Sequence, residues 1–123
     1  MDIRSVDLLY RARDLVGQGW TQHADARAAD GASVHPWNDA AVEWSLLGAI
    51  VAALEELADD DRDLPLVHLA LALDELALHV DDDSLARWND LSSRTQADVE
   101  RVLDVAARSR AEKVHEPPAR SDN

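Results

Sequence analysis

The stretch from Asn38 to Leu57, NDAAVEWSLLGAIVAALEEL, is the longest segment of the chain that predicts a buried helix. Its apolar residues recur at spacings of three and four, which places them on one face of a helix. Further apolar residues widen the stripe until most of the circumference is apolar, as in a helix with several neighbours. We therefore expect a central core helix about 30 Å long, around which the rest of the chain packs.

The composition predicts a single helical domain. A length of 123 residues suits one domain with a substantial core. The apolar residues are mainly aliphatic, with no Phe, one Tyr and four Trp, and Val, Ile and Thr are too scattered to indicate a sheet. The absence of Cys excludes a disulfide framework, a thiolate zinc site and a thiol nucleophile.

Two features of the sequence predict a cytoplasmic protein. The first ten residues, MDIRSVDLLY, carry acids where a signal peptide needs a basic region and an unbroken apolar run. No stretch reaches the roughly 18 apolar residues that a membrane span requires.

The charge balance limits the choice of partner. Twenty-five acids against twelve Lys and Arg give a formal net charge of −13. Such a surface repels nucleic acid and anionic membranes, so we expect neither to bind directly. It suits a basic protein partner, or it could imitate the phosphate backbone of DNA. Ordinary solubility explains the same charge without any partner.

Other helices flank the central one. A first helix is expected over Val6–Val16, capped by Ser5 and ended by Gly17 and Gly19. After Pro65 a third helix is expected, and we predict that it packs on the central helix as an antiparallel hairpin. Its predicted buried stripe consists of Leu66, Leu69, Ala70, Leu73, Leu76, Ala77 and Val80.

The last part of the chain predicts a short helix and a long one. A short helix is expected over Ser84–Asn89, and Thr95 caps the last helix in a capping box with Asp98. The predicted fold is therefore all-α: a compact single-domain bundle of four main helices, with a short helix before the last. We expect residues 1–113 to form this domain and residues 114–123 to form a disordered tail, because the tail lacks apolar periodicity.

The segment from His23 to Pro36 is predicted to be a loop, because it is polar and contains Gly31. A loop of this length is either mobile or functional. Its potential metal ligands, His23, Asp25 and His35, match no zinc or iron spacing. We expect no metal and no cofactor.

Two acidic runs separate helices. They consist of Asp59, Asp60, Asp61 and Asp63, and of Asp81, Asp82 and Asp83. Both runs lack the Gly and Glu that the EF-hand calcium loop requires at its sixth and twelfth positions. We interpret them as helix breaks whose last acids favour the start of the next helix.

The tripeptide Trp-Asn-Asp occurs twice, at 37–39 and at 88–90. The second copy is predicted to form a corner in which Trp88 is buried, Asn89 and Asp90 bind backbone groups, and Arg94 pairs with Asp90. A binding site is the alternative. Trp20 is expected to close one end of the core, with its indole N–H bonded to a carbonyl. The candidate interaction or structural residues are Trp20, Trp37, Arg87, Trp88, Asn89, Asp90 and Arg94.

Several of these residues belong to short ordered motifs: Gly19-Trp20-Thr21-Gln22, then Ser45-Leu46-Leu47-Gly48-Ala49-Ile50, then Trp88-Asn89-Asp90 with Arg94-Thr95. From roughly Leu8 to Ala107 the chain resembles a family of small uncharacterised helical proteins of actinobacteria and their phages. The family often has Cys where this chain has Ser45. The resemblance implies no established activity, so no catalytic residue follows from it.

The sequence contains no nucleophile motif, no Gly-rich phosphate loop and no helical metal motif. We therefore expect a non-enzymatic protein-interaction or regulatory module, with a homodimer as one candidate form. The alternative is an acidic inhibitor or DNA mimic that is directed at a nucleic-acid-binding protein.

Overall fold

The computed structural model describes residues 5–58 and 66–114. Three strands form one antiparallel sheet in the order β2-β1-β3 beside the helices. The fold is therefore mixed α/β, and the predicted all-α bundle is wrong. In chain order the elements are α1 (Ser5–Gln18), β1 (Ala26–Ala28), β2 (Ser33–Val34), β3 (Ala41–Trp44), α2 (Leu46–Ala58), α3 (Leu66–Ala77), α4 (Leu85–Asp90) and α5 (Gln96–Val114).

The central helix is shorter than predicted, because the chain changes from strand to helix at Ser45. In β3, Ala41 and Trp44 are buried while Val42 is exposed, and the strand does not alternate regularly because its register with β1 shifts between Arg27 and Ala28. The Ser45 hydroxyl then accepts a hydrogen bond from the backbone N–H of Gly48 at 3.0 Å and caps α2. Val42 fits a helical stripe only by coincidence of spacing.

The segment predicted as a loop, His23 to Pro36, contains two of the three strands. Ala26 pairs with both Val34 and Trp44, so β1 is the middle strand. Gly31 makes the turn between β1 and β2 with a φ of +87°, in the region that favours glycine. The strands escape sequence reasoning because they are very short and because β1 has no β-branched or aromatic residue.

The helical core forms around α1, which packs mainly against α5 and α2. Leu8, Leu9 and Val16 of α1 and Leu103 of α5 are completely buried. The Ser5 hydroxyl accepts a hydrogen bond from Nε of Arg110 at 2.9 Å, which ties the start of α1 to α5. The core thus joins elements from distant parts of the sequence.

The third helix packs differently from the prediction. Within the described residues, α3 contacts chiefly α1 and α5 rather than α2, so the expected packing of two consecutive helices is wrong. Ala72, Glu75 and Leu76 face inward, whereas Leu66, Ala70 and Ala77 of the predicted stripe are exposed. Because α3 is apolar on most of its sides, its sequence has no polar face that would indicate which side meets water.

Two features predicted from the sequence fall largely on residues that the structure does not describe. The acids Asp59, Asp60, Asp61 and Asp63 lie outside the described residues, as does the predicted tail apart from Val114, which ends α5. No helix of the described part is long and apolar enough to cross a bilayer.

Candidate functional site

The separate sequence motifs meet at one corner, where the sheet, the start of α2 and α4 come together. Asn89 is only 1% exposed. Its Oδ1 accepts hydrogen bonds from Nε1 of Trp20 at 2.8 Å and from the backbone N–H of Leu46 at 3.1 Å. Its Nδ2 donates to the carbonyl of Thr21 at 3.2 Å and to Oδ1 of Asp90 at 2.9 Å. Both donors and both acceptor positions of the amide are therefore used.

Gln22 and Asp90 complete this corner. Nε2 of Gln22 donates to the carbonyls of Asn89 at 2.9 Å and Leu91 at 2.8 Å. Oδ1 of Asp90 accepts from the backbone N–H of His23 at 2.9 Å. His23 has a φ of +64°, an unusual value for a residue other than Gly, and this bond helps to hold it there. We call the group the Asn89 corner: Trp20, Thr21, Gln22, His23, Asn89 and Asp90.

Arg27 joins the Asn89 corner to the sheet. From β1 its Nε donates to Oγ1 of Thr21 at 2.9 Å, and its Nη2 donates to the carbonyl of Gln22 at 3.3 Å. Its Nη1 reaches the carbonyl of Gly31 at 2.9 Å, in the turn after β1. One guanidinium thus bonds to the corner and to the hairpin turn.

Two motif glycines allow the backbone to pack closely here. A Cβ on Gly48 would overlap the carbonyl of Asp25, and a Cβ on Gly19 would overlap the carbonyl of Val42. The same Asp25 carbonyl accepts the backbone N–H of Ser45 at 3.0 Å. The glycines are needed for close approach between segments. Gly17 lies within α1, and neither Gly17 nor Gly19 takes the left-handed conformation of a helix end, so the helix-ending role predicted for them is wrong.

A cleft of about 490 Å³ opens beside the corner. Its lining includes His23, Asp25, Ser33, Ser45, Leu47 and Asp90. Nδ1 of His23 lies 3.7 Å from Oδ2 of Asp90. The Ser45 hydroxyl serves as the cap of α2, which favours a structural role for this side chain. Within residues 5–58 and 66–114 no group of three His, Asp or Glu side chains is placed to hold a metal ion.

Trp88 is buried as predicted, but Arg94 does not make the predicted pair with Asp90. The Arg94 guanidinium lies 3.8 Å above the centre of the Trp88 ring, and its Nε donates to the Trp88 carbonyl at 2.9 Å. Its Nη1 lies 3.9 Å from Oδ2 of Asp98. Asp90 faces His23 on the other side of α4, so it is used in the Asn89 corner.

The first Trp-Asn-Asp copy has a different environment. Trp37 is 53% exposed and stacks on His35, with ring centres 4.7 Å apart. The Asn38 side chain accepts the backbone N–H of Ala40 at 2.8 Å, which is a local bond. The two copies are therefore not equivalent, and only the second one organises the core.

The acidic run that the structure describes, Asp81 to Asp83, is partly engaged in local hydrogen bonds. Arg87 donates Nε and Nη2 to the carboxylate of Asp82 at 2.6–3.0 Å, and Asp82 also accepts the backbone N–H of Ser84 at 2.9 Å. The hydrogen bonds from Arg87 hold the pKa of Asp82 below its usual value. Asp81 and Asp83 are exposed. Arg87 and Asp82 thus stabilise the start of α4.

Sequence reasoning missed a buried carboxylate on α3. Glu75 accepts hydrogen bonds from Nζ of Lys113 at 2.7 Å and from Nε2 of His79 at 2.8 Å. The spacing of Glu75 and His79, four residues apart, was the signal that could have indicated their pairing. Lys113 could not be found in this way because it lies on α5.

Sequence reasoning also missed an apolar surface on α3. We call this surface the α3 outer face; its residues are all exposed and are Leu66, Val67, Ala70, Asp74, Ala77 and Leu78. The three large apolar side chains, Leu66, Val67 and Leu78, are 59%, 65% and 68% exposed.

Comparison with known proteins gives a family without an assigned activity. A family model described as a family of unknown function (DUF6197) matches residues 2–109. No curated protein and no solved structure is significantly similar to the chain.

Proposed function

We propose that this protein, which belongs to the family of unknown function DUF6197, is a non-enzymatic interaction module. In this proposal the α3 outer face binds an apolar helix of another protein that carries basic residues at its ends. The observation behind it is the exposure of Leu66, Val67 and Leu78, each at 59% or more. Contiguous exposed apolar surface is typical of protein–protein contact sites.

The α3 outer face is a continuous surface. At about 100° per residue, its five members within α3 fall within an arc of about 100°, and Leu78 follows directly after the helix ends at Ala77. The opposite side of α3 carries the buried residues Ala72, Glu75 and Leu76. One side of the helix therefore packs on α1 and α5, and the other side offers an apolar stripe to a partner.

The charges around α3 favour a basic partner. Asp74 is the single charged residue of the α3 outer face, and acidic runs precede and follow α3 in the sequence. The chain as a whole carries a formal charge of −13, which disfavours a second copy. A helix with an apolar stripe and Lys or Arg at both ends would match both the face and its surroundings.

This proposal is preferred to the inhibitor or DNA mimic. A mimic needs carboxylates that are free to meet a basic surface, whereas Asp82 is bonded to Arg87 and to the start of α4. We propose no direct binding to nucleic acid. A cytoplasmic location and an actinobacterial or phage origin are part of the same proposal.

A pair of designed peptides tests the proposal. Both are helices with the same Leu stripe, one with Lys at its ends and the other with Glu, and fluorescence anisotropy measures their binding. We expect the Lys peptide to bind at least about ten-fold more tightly. Val67→Glu and Leu78→Glu should each weaken it by about ten-fold or more. Val42→Glu is the matched control, because Val42 is an exposed Val on β3.

Three results would overturn the proposal. The first is that neither peptide binds, and the second is that Val42→Glu weakens binding as much as Val67→Glu. The third is a dimer in sedimentation equilibrium that Val67→Glu dissociates, because the face would then belong to a second copy. A salt titration from about 50 to 500 mM separates the mimic: the apolar stripe keeps its affinity, so the Lys peptide loses only the roughly ten-fold contribution of its basic ends, whereas a mimic loses several orders of magnitude.

A further inference from the structure

A second concave site lies on the other side of α4, away from the Asn89 corner. It is a pocket of about 240 Å³ between α5, Trp88 and the turn after α3. We call it the α5 pocket; its lining includes His79, Trp88, Arg94, Arg101, Val102 and Val105. None of these residues belongs to the α3 outer face, so the inference does not depend on the proposed function.

The charge of the α5 pocket is opposite to that of the protein. The chain has about twice as many acids as Lys and Arg, 25 against 12. The pocket instead brings Arg94 and Arg101 together with a single carboxylate, Asp98, while His79 in its wall is bonded to Glu75. A local excess of cations inside an acidic protein favours an anionic ligand.

Asp98 balances one of the two guanidinium charges, so one positive charge remains in the pocket. It accepts the backbone N–H of Thr95 at 3.0 Å as part of the capping box. Arg101 reaches it at 3.4 Å and Arg94 at 3.9 Å, distances that are long for a strong ion pair. Both guanidinium groups therefore keep donors for a ligand.

Arg94 is held in place before any ligand arrives. Its Nε donates to the Trp88 carbonyl, its Cζ lies 3.8 Å from the centre of the Trp88 ring, and its side chain is only 17% exposed. A guanidinium fixed in this way loses little conformational entropy when it binds a carboxylate.

The rest of the pocket wall is apolar. Val102 and Val105 lie on α5 on the same side as Arg101, and Val105 is 42% exposed. Small-molecule sites commonly combine such apolar walls with a few fixed polar groups. We propose that the α5 pocket binds a small organic carboxylate, with its carboxylate against Arg94 and Arg101 and its apolar body against Val102 and Val105.

Three probes test the proposal on the wild-type chain by ¹⁵N NMR titration. Phenylacetate carries both the charge and the apolar body, phenylacetamide lacks the charge, and acetate lacks the ring. We expect phenylacetate to cause saturable shifts of the Trp88 indole and of backbone signals near Arg101, with a Kd at least about five-fold lower than that of either other probe. Equal binding of phenylacetamide, or no saturation by phenylacetate, would overturn the proposal.

Two arginine variants on the same helix locate the site. Arg101→Gln should weaken the binding of phenylacetate by about five-fold or more, because it removes a charge from the pocket. Arg108→Gln is the matched control, since Arg108 is also exposed and also pairs with an acid, Asp104 at 3.0 Å, but does not line the pocket. Equal losses in the two variants would mean that the probe senses only overall charge, and would contradict the proposal.

Discussion

The indole Nε1 of Trp20 donates to Oδ1 of Asn89 over 2.8 Å, although the two residues lie 69 positions apart in the sequence. The same oxygen accepts the backbone N–H of Leu46 at the start of α2. One buried side-chain amide therefore connects the segment before the sheet, the central helix and α4. A fully satisfied buried network of this kind helps to specify a unique arrangement of the core.

The first prediction concerns this amide. Asn89→Ala removes all four side-chain hydrogen bonds and leaves the indole N–H of Trp20 and the N–H of Leu46 without this acceptor. We expect the free energy of unfolding to fall by about 3 kcal/mol or more in urea denaturation. Asn38→Ala, which loses one exposed local bond, is the control and should cost less than about 1 kcal/mol. A similar loss in both variants would contradict the role given to Asn89.

The second prediction compares two tryptophans. Trp88 is buried and lies beneath Arg94, whereas Trp37 is 53% exposed. We expect Trp88→Ala to lower the free energy of unfolding by about 3–5 kcal/mol, because it leaves a large cavity. Trp37→Ala should cost less than about 1 kcal/mol. Thermal or urea unfolding measures both, and a cost below about 1 kcal/mol for Trp88→Ala would disprove its place in the core.

The third prediction concerns close packing at Gly48. An alanine inside a helix normally makes the helix about 1 kcal/mol more stable than a glycine at the same position does. At Gly48 the added Cβ would overlap the carbonyl of Asp25, so we expect Gly48→Ala to destabilise by about 2 kcal/mol or more. Gly17→Ala is the control, because its Cβ would meet only the movable carboxylate of Glu100 at 3.1 Å. That variant should change stability by no more than about 1 kcal/mol, and a gain in stability from Gly48→Ala would refute the packing argument.

The fourth prediction is the pH dependence caused by Glu75. Burial raises the pKa of this carboxyl, but hydrogen bonds from Lys113, His79 and Ser109 outweigh burial and lower the pKa below its ordinary value of 4.5. A carboxyl with a lowered pKa in the folded state stabilises the fold above its unfolded pKa. That stabilisation is lost as pH falls through the folded pKa.

Urea unfolding of the wild type and of Glu75→Gln at several pH values checks this sign. Near pH 7 we expect the variant to be less stable by about 1–3 kcal/mol, since it loses charge-assisted bonds. The difference should shrink as pH falls from about 5 to 3. Glu55→Gln, at an exposed acid of α2, should differ from the wild type by less than about 0.5 kcal/mol throughout. A difference that grows toward low pH would contradict the prediction.

The parts of the fold that could be predicted from the sequence are those set by local chemistry. The short helix predicted over Ser84–Asn89 is observed as α4, which begins after its cap Ser84, and Thr95 and Asp98 form the predicted reciprocal capping box. The burial of Trp88 follows from the scarcity of large rings. The sheet could not be predicted because pairing of Ala26 with Trp44 is non-local, and alanine has no strand preference.

The same limit applies to the candidate sites. Trp20, Asn89 and Asp90 were identified from sequence as candidates, but their joining into one corner depends on bonds that span 67–69 positions. The α3 outer face escaped prediction because an apolar helix does not reveal which of its sides is covered. Arg94 was assigned to Asp90 by proximity in sequence, whereas the ring of Trp88 holds it on the opposite side of α4.

The packing of α1 against α5 has a consequence for synthesis on the ribosome. Ser5 and Arg110, which are bonded in the folded protein, are separated by 105 positions. At about 5–20 residues per second, α1 emerges roughly 5–20 s before its main partner is translated. During that interval Leu8, Leu9 and Val16 lack the cover that α5 later provides. The part of α1 that α5 covers therefore stays exposed until α5 is made, and slow codons in the stretch before α5 would prolong that exposure.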